Sequence, residues 1–345
     1  MVDIGPFKDH GELFNTPTRA VRGSQWNGKE QCFRHAPRHY AAIHFHQDDL
    51  DDCRWPATHA VQIPLDFASD AYALLLKTGT FSENIPFFVV PPKGQARSKI
   101  AVLVSTYTYT VYGNHARPEW FADPAWRESY IDQVQSWGAY PHNPGEHQDF
   151  GLSTYNSHPD GSGIGLVSWR RPMLNLRMGY LTYPYPEIRA SGLRHYPADS
   201  HLLMWLKHHK LDFDLVTDEE LHREGLDRLR PYQTLITGSH PEYHSEAMLD
   251  ALQNYRDQGG KLIYLGGNGF YSARASSKCV GPRAASGLGL LNRENIFISS
   301  IANTADFGGV TQGLPSSLSA LASPRRAILS APIIESAKKP VPTPW

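Results

Sequence analysis

The chain has 345 residues, 41% of them apolar, with 33 basic against 34 acidic side chains for a formal net charge of -1. That length allows about two domains with real cores, and the balanced charge lacks the basic footprint of a nucleic-acid binder. No apolar run reaches the roughly 18 residues that a membrane-crossing helix needs, and Met1 to Asn15 carries charged residues rather than the apolar core of a secretory leader. Cys32, Cys53 and Cys279 show no CxxC spacing, which fits a reducing, cytoplasmic setting better than a disulfide framework and disfavours a Cys32–Cys53 bridge.

Residues 1–97 read as a β-rich module. Short runs at 41–46, 60–64, 70–77 and 86–92, with turn residues between them, predict a sandwich-like arrangement closed by the linker Pro91-Pro92-Lys93-Gly94. Residues 98–271 read as α/β. Lys99 to Val104 is a β-branched run suited to a buried parallel strand. A long stretch to about residue 197 follows, rich in Tyr, Trp, His, Pro and Gly, and a loop of that length is either functional or holds small elements of its own. Regular alternation then begins: a helix capped by Asp199, a strand at 213–216, a helix capped by Asp218, a strand at 234–237, a helix capped by Ser245 and a strand at 262–265. Strand–helix–strand units at this spacing predict a doubly wound parallel sheet. Residues 272–345 have 12 serines, 3 acidic residues and no clear periodicity, which predicts a poorly ordered tail.

Ligands of open α/β sheets bind beyond the carboxyl ends of the strands. Three polar segments fall there: Ser105 to Asn114, Gly238 to Tyr243, and Gly266-Gly267-Asn268-Gly269. His240 and Glu242 flank a stiffening proline and suit acid–base or metal chemistry, although a glutamate there can also serve a helix N-terminus. The glycine run lets backbone approach a ligand or merely links elements, and the tyrosines after Val104 can be simple packing. His44 and His46 share one strand face as a possible ligand pair, but no Cys or third His stands at ligand spacing nearby, which points to a structural role.

Four segments together resemble the large (beta) subunit of N,N-dimethylformamidase: Thr16-Pro17-Thr18-Arg19-Ala20-Val21-Arg22-Gly23-Ser24, Ser168-Trp169-Arg170-Arg171-Pro172, Ser239-His240-Pro241-Glu242-Tyr243 and Gly266-Gly267-Asn268-Gly269-Phe270-Tyr271. The resemblance runs from about residue 15 to 271. It implies an Ig-like module followed by a glutamine-amidotransferase-like α/β domain, and hydrolysis of N,N-dimethylformamide to dimethylamine and formate. It further implies a mononuclear Fe(III) held by two tyrosines and a glutamate, with a small subunit as partner in a hetero-oligomer. Carried over, the carboxylate is Glu242 and the tyrosines are Tyr112 and Tyr155, with Tyr109 or Tyr107 as alternatives to Tyr112; His240 and Asn268 stand beside the metal. Phenolates and a carboxylate are hard donors suited to Fe(III), which can polarise the formyl oxygen and acidify a water, while His240 or Asn268 stabilises the oxyanion or steers protons. None of the three cysteines follows a strand, so nucleophilic-cysteine catalysis is disfavoured.

Against the family pattern, the expected lectin-like domain precedes none of these segments, and the resemblance ends near Tyr271. Reading Asn303 to Gly309 from the third base of the Ala302 codon can give Glu-Tyr-Gly-Gly-Leu-Trp-Arg, a stretch the family carries, so the sequence from about 272 onward is expected to be a frameshifted product and the domain incomplete. Two other readings stay open: a non-catalytic remnant that binds a partner subunit, and a metal-free ligand-binding domain.

Overall fold

The computed structural model describes residues 6–272, apart from Thr16, 57–58, Leu65, Thr80 and 183–192, together with 326–329. The N-terminal module is built from two-stranded antiparallel ribbons. Thr18–Val21 (β1) pairs with Ala42–His44 (β2), and His59–Gln62 (β3) is the third short strand. Asp70–Thr78 (β4) and Phe81–Val89 (β5) form a hairpin in continuous register from Asp70↔Val89 to Thr78↔Phe81. Among the described residues these ribbons are not joined into a larger sheet. Cys53 is a free thiol, so it makes no bridge with Cys32.

Ile100–Val104 (β6) begins the parallel sheet. The long segment after it is largely folded. It opens with Thr106–Val111 (α1), where a polar loop was expected, and continues with Pro118–Ala122 (α2) and Pro124–Ser136 (α3). Tyr196–His208 (α4) leads to Asp214–Thr217 (β7), then Asp218–Glu224 (α5) and Leu226–Leu229 (α6) lead to Thr234–Thr237 (β8). Tyr243–His244 (β9), Glu246–Asp257 (α7), Lys261–Ile263 (β10) and Tyr271–Ser272 (β11) complete it. Arg326–Leu329 (β12) pairs antiparallel with β3; the rest of the expected tail, and with it the frameshift expectation, lies outside the described residues.

The sheet order is β10-β8-β6-β7, all parallel. The chain passes from β6 to β7 on one side and then crosses to β8 on the other, so the strand order reverses between β6 and β8, where doubly wound sheets make their crevice. Side chains of β6 alternate between two cores. Ala101 and Leu103 face Leu221, Leu229, Met248 and Leu252 from α5, α6 and α7, whereas Val102 and Val104 face Leu203 and Leu206 of α4. A strand covered on both faces can be apolar throughout, which is how the run from Ile100 reads. Phe88 of the hairpin packs on the α4 side and joins the N-terminal module to the sheet.

Two helix starts differ from expectation. Asp199 lies inside α4, and Thr217 caps α5 through a capping box with Glu220, so Asp218 is a helical residue. Ser245 does cap α7: its hydroxyl accepts from Met248 N at 3.3 Å and lies 2.7 Å from His222 Nδ1. Ser245→Ala is expected to lower stability by about 1 to 2 kcal/mol in urea denaturation, the cost of an N-cap whose amide is left bare.

Candidate functional site

The crevice between β6 and β8 collects the chemistry. Helix α1 leaves the end of β6 with every residue buried, and Tyr112 is its C-cap. The carbonyl of Val111, left over at the helix end, receives Ser153 Oγ at 3.1 Å, Thr154 N at 3.2 Å and Thr154 Oγ1 at 3.2 Å. That anchor sets Tyr155 beside Tyr112, with rings stacked at 4.2 Å and 11°. After β8, the amides of Glu242 and Tyr243 donate to Thr108 Oγ1 of α1 at 3.1 and 3.2 Å. Thr108 and Tyr112 are four residues apart, so one face of α1 fixes both the glutamate's backbone and the tyrosine.

The donors converge. Tyr112 donates to Glu242 Oε2 at 2.9 Å, the Tyr112 and Tyr155 hydroxyls lie 2.8 Å apart, and Tyr155 is hydrogen-bonded in turn to the Tyr243 hydroxyl. The two alternative tyrosines go elsewhere: Tyr107 donates to Glu219 at 2.9 Å and Tyr109 to Asp199. Asn268, in the glycine loop, lies near enough to the Glu242 carboxylate to favour its charged form. That loop lies against the 239–241 segment through Gly267 N to Ser239 O and Phe270 N to Pro241 O, both 2.8 Å, continued by the parallel pairing of β9 with β11. A Cβ at Gly266 would stand 2.6 Å from Pro241 Cδ, so glycine is required for this close approach.

Burial pushes Glu242 above the usual carboxylate range, against the hydrogen bond from Tyr112 and the nearby Asn268 amide. Burial likewise raises Tyr112, with further contributions from Tyr155 and Glu242, and it raises Tyr155. Left to itself the cluster therefore holds its protons, and a cation is the partner that favours their release. The residues fit one: three hard oxygens meet in a buried crevice, and His195 Nε2, buried without a hydrogen-bond partner, sits on a ring 4.5 Å from that of Tyr112. His240 Nδ1 is also buried without a partner, with its ring 5.9 Å from that of His195. Burial and the Arg194 guanidinium hold His240 and His195 below the ordinary imidazole range, and burial with Arg117 and Arg194 brings His115 down to about 4, so all three are neutral near pH 7.

Sequence reasoning did not single out Arg194, His195 or Tyr243. Tyr243 ends the Ser-His-Pro-Glu-Tyr motif and was within reach; Arg194 and His195 carry no motif and enter the crevice only because α4 starts beside β6. The Ser168 to Pro172 motif proves to be scaffolding. Arg171 donates to the carbonyls of Leu152 at 2.8 Å, Ser168 at 3.0 Å and Gly113 at 3.2 Å, and Arg170 pairs with Asp52 at 3.0 Å.

These features define a mixed α/β protein with a buried tyrosine–tyrosine–glutamate cluster at the switch point of a parallel sheet. The chain belongs to the family described as N,N-dimethylformamidase beta subunit-like, C-terminal, whose sequence model matches residues 18–287 and so reaches past Tyr271. It is 39% identical over 277 residues to the N,N-dimethylformamidase beta subunit of Paracoccus aminophilus, covering 79% of this chain and 34% of that protein. It is 36% identical over 277 residues to the N,N-dimethylformamidase beta subunit of Alcaligenes sp, with the same coverage of 79% and 34%. The chain thus spans about a third (34%) of the length of the curated relatives it matches. Among the described residues no helix is long and apolar enough to cross a membrane.

Proposed function

We propose that this chain is the metal-holding part of a hydrolase for small N-substituted amides, with N,N-dimethylformamide the first substrate to test. The observation that carries the reading is the convergence of the Tyr112 and Tyr155 hydroxyls on Glu242 in the crevice between β6 and β8. Those three residues would hold a mononuclear Fe(III). When bound, such an ion supplies Lewis-acid polarisation of the carbonyl and a water of lowered pKa. The chain's own groups do the rest. Neutral His240, on a loop stiffened by Pro241, can take a proton from water and return it to the leaving amine. Asn268 orients Glu242 and can also face a developing oxyanion. The aromatic walls of Tyr112, Tyr155 and Tyr243 exclude water and match the methyl groups of a dialkylamide.

On the same reading the parallel sheet is the core of a glutamine-amidotransferase-like domain and residues 1–97 are an Ig-like module. The relatives are named as one subunit of an enzyme, so a smaller partner subunit is part of the proposal. The test is metal content with visible absorption on the purified chain, beside dimethylamine release. Stoichiometric iron with a tyrosinate-to-iron charge-transfer band and turnover is expected. A folded chain that takes up no iron overturns the site, and iron without turnover leaves the chain as the holder but not the catalyst.

A further inference from the structure

His44 and His46 lacked a third ligand in the sequence; the fold supplies one. His158 comes from the segment after Tyr155 and stacks on His46 with ring centroids 3.6 Å apart and planes at 4°. Asp49 stands between them: its Oδ1 is 3.3 Å from His46 Nδ1 and 3.8 Å from His158 Nε2, and the three ligand atoms all lie within 4.8 Å of one another. Tetrahedral ligands about 2.1 Å from a zinc ion sit about 3.4 Å apart, so these separations bracket the spacing needed. The side chains of His46, His158 and Asp49 are only 5%, 4% and 10% exposed.

The outer partners are those a histidine-bound metal needs. His158 Nδ1 lies 2.8 Å from Asp48 Oδ1, and His46 Nε2 lies 2.8 Å from Ser162 Oγ, which donates to Asp160 at 2.6 Å. Each histidine thus has its far nitrogen engaged and its other nitrogen directed at Asp49, the arrangement that fixes tautomers for coordination.

We infer that His46, Asp49 and His158 form a second metal site, selective for zinc-type divalent ions, separate from the tyrosine–glutamate cluster. Two imidazoles and one carboxylate are the borderline donor set of zinc, and a water completes the shell. Binding an ion would require the two rings to tilt out of their parallel stack so that their lone pairs converge. The site clips the segment after β2 to the one that carries Tyr155, and so steadies one wall of the crevice.

The test is zinc binding by the metal-stripped full chain carrying Glu242→Gln, which disables the other cluster, with cobalt absorption as a second readout. One zinc per chain is expected, with four-coordinate cobalt bands in the visible. Affinity should fall by more than about 100-fold in His158→Ala and by about 10-fold in Asp48→Asn, the scale of losing a ligand and an outer partner respectively. Unchanged zinc uptake in both His46→Ala and His158→Ala overturns the site. So does a folded chain with intact histidines that binds neither zinc nor cobalt, which would make the cluster an ion-pair network. The cobalt spectrum needs no variant at the site, so a misfolded variant leaves the question decidable, and failure here says nothing against iron at Tyr112, Tyr155 and Glu242.

Discussion

On the proposed reading, Glu242→Gln is expected to abolish iron uptake, Asn268→Ala to weaken it by only about 10-fold, and His240→Ala to leave it intact. The gradation follows from what each side chain touches. Among the described residues, Glu242 is the carboxylate that meets the converging phenols, at 2.9 Å from Tyr112. A glutamine in its place keeps the shape but removes the anionic donor, and loss of a direct donor should exceed the 10- to 100-fold cost of an outer partner. Asn268 acts on the carboxylate from outside, which makes it such a partner. His240 reaches the crevice with a buried nitrogen that no hydrogen bond occupies, so its removal should spare the iron and lower kcat by about 100- to 10,000-fold, the usual share of a proton-transfer group. Dialysis against iron, the charge-transfer band and steady-state rates read these three effects separately. Iron retained at full affinity in Glu242→Gln would remove the carboxylate from the site.

Much of the α/β part was legible in the sequence because its signals are local. A β-branched run covered on both faces reads as apolar throughout, and the period of Met248, Ala251, Leu252 and Tyr255 follows from one buried face of α7. The glutamate side of the site was legible for the same reason, since a motif directly after a strand sits where parallel sheets open. The tyrosine side was harder. Tyr107, Tyr109 and Tyr112 are close in sequence, and only the helical turn of α1, hidden in a threonine-rich stretch with poor helix propensity, sends them to Glu219, Asp199 and Glu242 respectively. Tertiary burial of all six residues of α1 overrides that propensity.

The clustering of His46, Asp49 and His158 had no local signal at all. More than a hundred residues separate His158 from Asp48, its hydrogen-bond partner, and the Asp52–Arg170 pair that holds the two segments together spans a similar gap. Spacing rules find metal ligands within one element or one turn. A site assembled from two loops appears only once the chain has closed on itself. The capping errors at Asp199 and Asp218 have a related cause. Both are residues that suit an N-cap, but their carboxylates answer tertiary donors, Ser239 N at 2.5 Å and Tyr107 N at 2.8 Å.

Asp218→Asn should gain stability relative to its parent as the pH rises from about 4 toward neutrality. Asp218 is fully buried at the start of α5, with Oδ2 accepting from Tyr107 N and Oδ1 without a partner. Burial pushes its carboxyl well above the ordinary range, against the Tyr107 amide, and the neighbouring Glu220 and Glu219 push it the same way. The helix N-terminus opposes this weakly, because the capping box of Thr217 and Glu220 already engages the first amides. The folded state thus keeps a proton that the unfolded chain gives up near pH 4. Its contribution to stability is complete below that pH and is lost as the pH climbs through the folded value, at up to about 1.4 kcal/mol per pH unit for each such carboxyl. Asp199 and Glu219 are raised by burial too and act in the same direction, whereas the buried His115, His195 and His244 are held low and act in the opposite one, so the comparison with the variant is what isolates Asp218. The side-chain amide oxygen introduced by Asp218→Asn would keep the acceptor for Tyr107 without the charge. Urea denaturation across this range should show the variant gaining on its parent as the pH rises. Parallel curves for the two would mean that Asp218 is ionised in the fold, and that the start of α5 stabilises a buried carboxylate more than burial penalises it.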